Sequence, residues 1–434
     1  YIMERNGLKI SKNRLLLNLI FIYIISLGIW DSLTNIFIPN NIRIVLCSLS
    51  LFVLLFMTKW TERMSPLPCD ILFILSILVY CINNYYIEIN NSFGYLRYFL
   101  LFALLFIGRT IYNFPNRIVK LYTYMSLIHV FATIWLKFDA YSYKNIIVKM
   151  FDAKRQSLLL AHYAHGWISG LANHYSSNGM YLATTIPLLF SYILFSDSNR
   201  RKKQFKLLFC LAFLALLFTG KRAHMIFSVM AMLLVYYIYS ANKKHGRFFK
   251  ILTIVIGVIG FFYIGYSLFP NLFSFIGRFY ETAEDGDVTQ GRLTTWTAVM
   301  SVFRTSPLFG IGWMRFSTLA EGFGVTSNAH NVYIQLLCET GIVGFTVFVA
   351  MFVSMFAISV CLFSKMRTGR VELPDEEQKN MAFSIGMQLF FLLYCFSGNP
   401  LYDAPMFVPY FLSLGITTYY WCLVRTLNNT EDIT

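Results

Sequence analysis

The chain has 434 residues, 57% of them hydrophobic and 18% aromatic, with 13% charged and a mean hydropathy of +0.58. A soluble domain carries about 25% charged residues, so an ordinary cytosolic enzyme is excluded, as is a disordered chain, which would lack the Leu, Ile and Phe that fill this one. The net charge is +15, but more than half of it belongs to short loops between apolar runs, and no basic face interleaved with exposed aromatics marks a nucleic-acid surface.

Apolar runs that can cross about 30 Å of hydrocarbon, roughly 17–25 residues with their flanks, recur along the chain. Twelve can be read: Leu15–Trp30, Ile42–Met57, Ile71–Ile82, Tyr98–Ile111, Leu121–Leu136, Gly179–Phe195, Phe205–Phe218, Met225–Tyr239, Ile251–Phe269, Ile342–Phe363, Met381–Phe396 and Met406–Val424. The third, fourth and seventh are short, so eleven or thirteen are also compatible. The expected fold is all-α: a polytopic integral membrane protein of about twelve transmembrane helices. Residues 1–270 would hold spans one to nine with a first external segment at about 137–178, residues 271–331 a large, partly helical external loop, and residues 332–434 spans ten to twelve with a cytoplasmic tail. Arg5, Lys9, Lys12 and Arg14 precede the first run and no small-residue cleavage site follows, so no cleavable signal peptide is expected.

Short loops kept on the cytoplasmic side accumulate Lys and Arg. With the N-terminus inside, 23 of the 36 cations fall on the inner side, and Arg200-Arg201-Lys202-Lys203 and Lys243-Lys244 alternate correctly around a helical hairpin. Both termini are therefore predicted to be cytoplasmic. Eleven of the 13 outer cations lie in three places: Lys137 to Arg155, the turn Lys221-Arg222, and the segment holding Arg278, Arg292, Arg304 and Arg315. Cations there oppose the insertion bias, which makes them candidates for an anionic ligand. Cys47, Cys69, Cys81, Cys210, Cys338, Cys361, Cys395 and Cys422 lie in or near spans with no Cys-x-x-Cys spacing, which argues against zinc and against a disulfide framework.

The first external segment gathers His162, His165, Trp167, His174 and Tyr175. Three histidines could be metal ligands, but no carboxylate or cysteine accompanies them at a standard spacing, so interfacial anchoring is the favoured reading. The second external segment, Asn271 to Asn331, opens on an acidic loop with Glu281, Glu284, Asp285, Gly286 and Asp287. From Gly291 to Phe303, apolar Leu293, Trp296, Met300 and Phe303 recur at helical spacing, predicting an amphipathic helix on the membrane surface with Arg292 in its first turn. Ser306-Pro307 stops it and Gly310-Ile311-Gly312 turns the chain. A second helix is expected from Asn328, with His330 in its first turn, before Gly341 and Gly344 lead into the tenth span. The positive helix end and nearby arginines would keep His330 neutral and able to accept a proton.

Gly291-Arg292, Trp296, Ser306-Pro307-Leu308-Phe309-Gly310-Ile311-Gly312, His330-Asn331-Val332-Tyr333 and Glu339-Thr340-Gly341-Ile342-Val343-Gly344 together resemble the O-antigen ligase and polymerase superfamily. The ordered set is specific where any one piece is not. The resemblance implies an enzyme of the bacterial inner membrane, acting on its periplasmic or external face. It would transfer glycan from an undecaprenyl diphosphate carrier to a sugar hydroxyl, either of another carrier-linked repeat unit (polymerase, the preferred reading) or of lipid A core (ligase). It further implies an inverting reaction with no metal and no cofactor, with membrane lipids, chain-length regulator and flippase proteins as partners.

By the same resemblance the essential histidine is His330, and the functional arginines are Arg292 and Arg222; the latter stands in Thr219-Gly220-Lys221-Arg222-Ala223, where Lys221 replaces the commoner Ser. Which of Lys221 and Arg222 makes the main phosphate contact stays open. Asn331, Arg304, Arg315, Trp296 and Tyr333 are further candidate substrate contacts, although Trp296, Trp313 and Tyr333 read first as interfacial anchors. Arg292 could also simply pair with the acidic loop, and Arg222 could be a cation snorkelling from a span end. A transporter or flippase of lipid-linked anions is the rival from another class. It would show matching half-repeats and charges at mid-membrane, and neither is seen.

Overall fold

The computed structural model describes residues 7–57, 66–84, 92–241, 247–268, 292–323 and 328–431. These residues are helical or in connecting turns, with no strand among them. In chain order the helices are α1 (Gly7–Ile29), α2 (Asp31–Phe37), α3 (Asn40–Met57), α4 (Asp70–Asn84), α5 (Ser92–Ile107), α6 (Phe114–Phe138), α7 (Ala153–Ala164), α8 (Tyr175–Leu194) and α9 (Asn199–Phe218). They continue with α10 (Arg222–Tyr239), α11 (Arg247–Leu268), α12 (Arg292–Phe303), α13 (Phe316–Ala320), α14 (Val332–Arg367), α15 (Asp375–Tyr394) and α16 (Ala404–Glu431). The acidic loop from Glu281 to Asp287, Arg278, Gly291, Arg5, Lys59, Arg63, Lys243 and Lys244 lie outside the described residues.

Each of the twelve apolar runs coincides with a helix. Five of these helices (α3, α6, α10, α14 and α16) are long and apolar enough to cross a membrane, or six if α1 and α2, bent by 104°, make one broken span. Apolar stretches of α4, α5 and α11 are shorter. Helices α8, α9 and α15 fall short of that measure; α9 takes the basic run Arg200 to Lys206 inside its first turns and α15 starts on Asp375-Glu376-Glu377. Among the described residues the architecture is all-helical and consistent with a polytopic membrane protein, while the count of twelve rests on the apolar runs and the side of the termini on the charge argument. Interhelical ion pairs among the described residues respect that argument. Arg97 reaches Asp31, both assigned outside, at 3.2 Å, and Arg109 reaches Asp70, both assigned inside, at 2.9 Å.

The core lies around α15 and α16. A helix apolar on every side belongs in the middle of a bundle, and 89% of the α16 span is buried. Phe391 of α15 stacks on Tyr410 of α16 with centroids 3.7 Å apart. Polar side chains also bind the centre: Gln388 donates to Ser359 Oγ at 2.8 Å, Ser384 Oγ at 3.0 Å and Thr417 Oγ1 at 3.0 Å. These bonds tie α14, α15 and α16 through groups that would otherwise be stranded away from water. On the periphery, α3 and α11 expose Phe52, Phe56, Ile256 and Tyr263, as a lipid-facing surface requires.

Candidate active site

The turn Thr219-Gly220 carries the chain from α9 into α10, with Lys221 at the cap position and Arg222 as the first helical residue. Ile168 donates its amide to Phe218 O at 3.0 Å, tying the first external segment to this turn. Lys221 Nζ lies 4.4 Å from the centroid of the Tyr175 ring, a cation–π contact that orders a flexible side chain. Around it the aromatic cluster closes: His162–Tyr175 at 4.4 Å, His162–His174 at 4.9 Å, Trp167–Tyr175 at 4.9 Å and His165–Trp167 at 5.3 Å. His174 caps α8, its Nδ1 accepting from Ser176 N at 3.0 Å. Burial, followed by the charges of Lys221, His162 and Arg155, pushes the His174 pKa down to about 3. Burial and Lys221 also lower that of His162. These rings pack on one another beside Lys221, so the segment is a wall next to that cation rather than a row of separate anchors. Among the described residues no three His, Cys, Asp or Glu side chains converge to hold an ion.

Helix α12 starts at Arg292 as expected. Its buried face is Thr295, Ala298, Val299 and Val302, residues small enough to sit closely on α14 in a cluster with Phe316, Ala329 and Cys338. Of the large residues in the predicted stripe, Leu293 and Met300 turn the other way and are exposed, while Trp296 is half-buried and Phe303, also half-buried, packs on that cluster. Trp296 is not a free platform, because its Nε1 donates to Ala329 O at 2.9 Å, fastening α12 to the turn that holds His330.

The second helix starts later than expected. Its cap is Asn331, not Asn328: Asn331 Oδ1 accepts from Tyr333 N at 3.0 Å and Ile334 N at 3.2 Å, satisfying amides a helix start leaves open. His330 therefore precedes the cap, with a left-handed φ of 49°, instead of lying in the first turn. His330 is exposed, yet its pKa is held below the ordinary histidine value, first by protein displacing water around it and then by Arg292 and Lys221. The lowering expected from the helix end and nearby arginines is thus found, with burial as its first cause and Arg292 among the others, while the helix end drops out because His330 precedes the cap. Arg292 and Lys221 therefore both lie near enough to act on the charge of His330, and Arg222 follows Lys221 directly.

The other candidates separate from this group. Arg304 lies past the far end of α12, roughly 18 Å along the axis from Arg292 at about 1.5 Å per residue. Arg315 is exposed and donates to Ile311 O at 3.3 Å. Tyr333 donates its hydroxyl to Leu392 O at 3.0 Å and packs on Phe396. Trp313, read as an interfacial anchor, is buried among Tyr80, Tyr98, Phe348 and Tyr402.

The motifs on either side of His330 form one structure. Helix α14 breaks at Gly341, φ 67° and ψ −176°, and the loop after Pro307 lies in the break. Ile311 N donates to Cys338 O at 3.2 Å and Gly312 N to Glu339 O at 2.9 Å, while Pro307 O and Leu308 O accept from Ile342 N at 2.9 Å and Val343 N at 3.2 Å. A Cβ at Gly310 would meet Glu339 O at 2.3 Å, and one at Gly341 would meet Leu308 O at 2.2 Å, so only glycines allow the approach. Fully buried Glu339 completes the joint, accepting from Met314 N at 2.9 Å and Gln335 Nε2 at 3.0 Å.

Sequence reasoning missed Asp403, just before α16. Burial and the neighbouring Asp31 push its carboxyl up to about 7 against the pull of Lys221, so it lies within electrostatic reach of that cation. No spacing links it to the other residues; only the wall at 162–175 had a signal, its density of histidines and aromatics.

Residues 207–349 match the family model described as O-Antigen ligase, and no curated protein matches the chain. The match bears out the resemblance across the segment that holds Lys221, Arg222, Arg292, His330 and both halves of the Gly341 joint, and it supports a function of the O-antigen ligase or polymerase type.

Proposed function

We propose that this protein is a membrane glycosyltransferase of the bacterial inner membrane that polymerises a cell-surface polysaccharide on the outer face of the bilayer. A hydroxyl of one carrier-linked repeat unit attacks the anomeric carbon of another, the bond to the carrier phosphate breaks, and the configuration inverts. His330 takes the hydroxyl proton. Arg292 and Arg222, with Lys221 beside them, hold the undecaprenyl diphosphate that leaves with the bonding electron pair; guanidinium forks suit phosphate oxygens and do not lose their protons. Pre-oriented cations act most where charge develops, here on the departing phosphate.

The observation that carries the reading is a histidine whose proton affinity is lowered by burial and then by Arg292 and Lys221, within a segment matching the O-antigen ligase family. That family description also favours a second reading, transfer to lipid A core. Both are tested by incubating purified protein with undecaprenyl diphosphate-linked repeat units, with and without lipid A core and without added metal. A ladder of products establishes polymerisation, and a single addition requiring lipid A core establishes ligation. His330→Ala should reduce either by about 10²–10⁴-fold, the usual worth of a general base; full activity in that variant would remove His330 from the mechanism.

A further inference from the structure

A second cationic site lies at the opposite end of the bundle, on the face that the charge distribution assigns to the cytoplasm. A cavity of about 410 Å³ opens between the start of α1 and the start of α6, lined by Arg14, Asn18, Asn113, Asn116, Arg117 and Lys120 among others. We propose that it binds the phosphate of an anionic phospholipid headgroup. This inference is independent of the transfer chemistry.

Retention of cations on one side of a membrane explains their presence at this face, but it does not explain three of them around one cavity. No carboxylate lines it among the described residues, and Arg14 and Arg117 are close enough to act on each other's charge. An arrangement of like charges is stabilised by an anion. Arg117 is set for one: its Nη1 donates to Asn18 Oδ1 at 3.0 Å, which fixes the guanidinium, while its buried Nε has no partner. The amide side chains beside it are also fixed. Asn113, with a left-handed φ of 58°, accepts from Asn116 Nδ2 at 2.6 Å, and Asn116 Oδ1 accepts from Asn380 Nδ2 at 2.6 Å. Glu377 meets this network through Asn116, at 3.1 Å, and through Tyr420, which accepts from Asn380 at 3.0 Å and donates to Glu377.

The adjoining surface points to a lipid rather than a soluble phosphate. Continuing from Arg14, α1 exposes Leu15 (63%), Leu16 and Leu19 (55%), and α6 exposes Tyr124, Ile128 and Phe131 beyond Lys120. Since α1 and α6 pack together, an apolar surface for acyl chains runs on from the cationic cavity. Basic pockets between transmembrane helices on the cytoplasmic side are suited to anionic headgroups.

The test uses the full chain in detergent, titrated with short-chain phosphatidylglycerol, with phosphatidylcholine of the same chains, or with inorganic phosphate alone. Bound adducts are counted by native mass spectrometry. Arg14→Gln, at an exposed position, and Arg117→Gln should each weaken phosphatidylglycerol binding by about fivefold, the worth of one cation near an anionic surface, with phosphatidylcholine unchanged. Equal phosphatidylglycerol binding by the wild type and a folded Arg14→Gln variant would overturn the site. Inorganic phosphate binding as tightly as phosphatidylglycerol, with the same loss in the variants, would overturn the lipid as its ligand.

Discussion

At the scale of single residues, the state of His330 sets a pH dependence. A general base works only when neutral, and here the protein, Arg292 and Lys221 hold the pKa below the ordinary value of about 6.5. The acid limb of the transfer rate should therefore lie below that pH. Arg292→Gln removes a positive charge, raises the histidine pKa and moves the limb to higher pH, besides lowering the plateau. Rates measured across pH for both proteins check this, and a limb that does not move would separate the two side chains. Asn331 makes a different prediction. Asn331→Ala loses the cap of α14 and should cost about 1 kcal/mol in thermal unfolding, whereas Asn331→Asp keeps most of it. A changed KM with unchanged unfolding would instead mark a ligand contact. The candidate histidine was legible in the pattern His330-Asn331-Val332-Tyr333, but its position relative to the helix was not. Asn328 and Asn331 both precede the same apolar run, and only the bonds from Tyr333 and Ile334 amides distinguish the real cap.

At the scale of elements, the loop seated in the break of α14 governs whether the site exists. Alanine for glycine inside a regular helix stabilises by about 0.5–1 kcal/mol. Gly341→Ala should do the opposite, because φ 67° is strained for alanine by about 1–3 kcal/mol and the new methyl meets Leu308 O. Thermal unfolding reads the sign, and transfer activity should fall with it. Gly310 and Gly312 were visible in the sequence as a turn, and Gly341 only as the lead into the tenth span. Their pairing was not, since periodicity reports neighbours along a helix and carries nothing about which distant carbonyls an amide will find. For α12 the apolar spacing gave the helix but hid the packing face, because small Ala298 and Val299 make the closer contact with α14 while the bulky Leu293 points away.

For the whole molecule, the apolar runs told most of the fold, because a bilayer demands the same long helical solution from every crossing segment. What they could not tell was depth within the bundle. Trp313 was expected at an interface and is 1% exposed amid four aromatic rings; Trp313→Ala should cost about 3–5 kcal/mol, measured as a fall in Tm, where an interfacial tryptophan would cost far less. The joint at Gly341 has a further consequence in time. A ribosome delivers residues 306–312 before residues 338–343 exist, so the amides of Ile311 and Gly312 wait, hydrated, for carbonyls that arrive only with the tenth apolar run. The helix that begins at Arg292 can form early, but the loop that follows it finds its seat only when the later segment arrives. If the proposed site is the active one, it is completed only once both halves of this joint have been made.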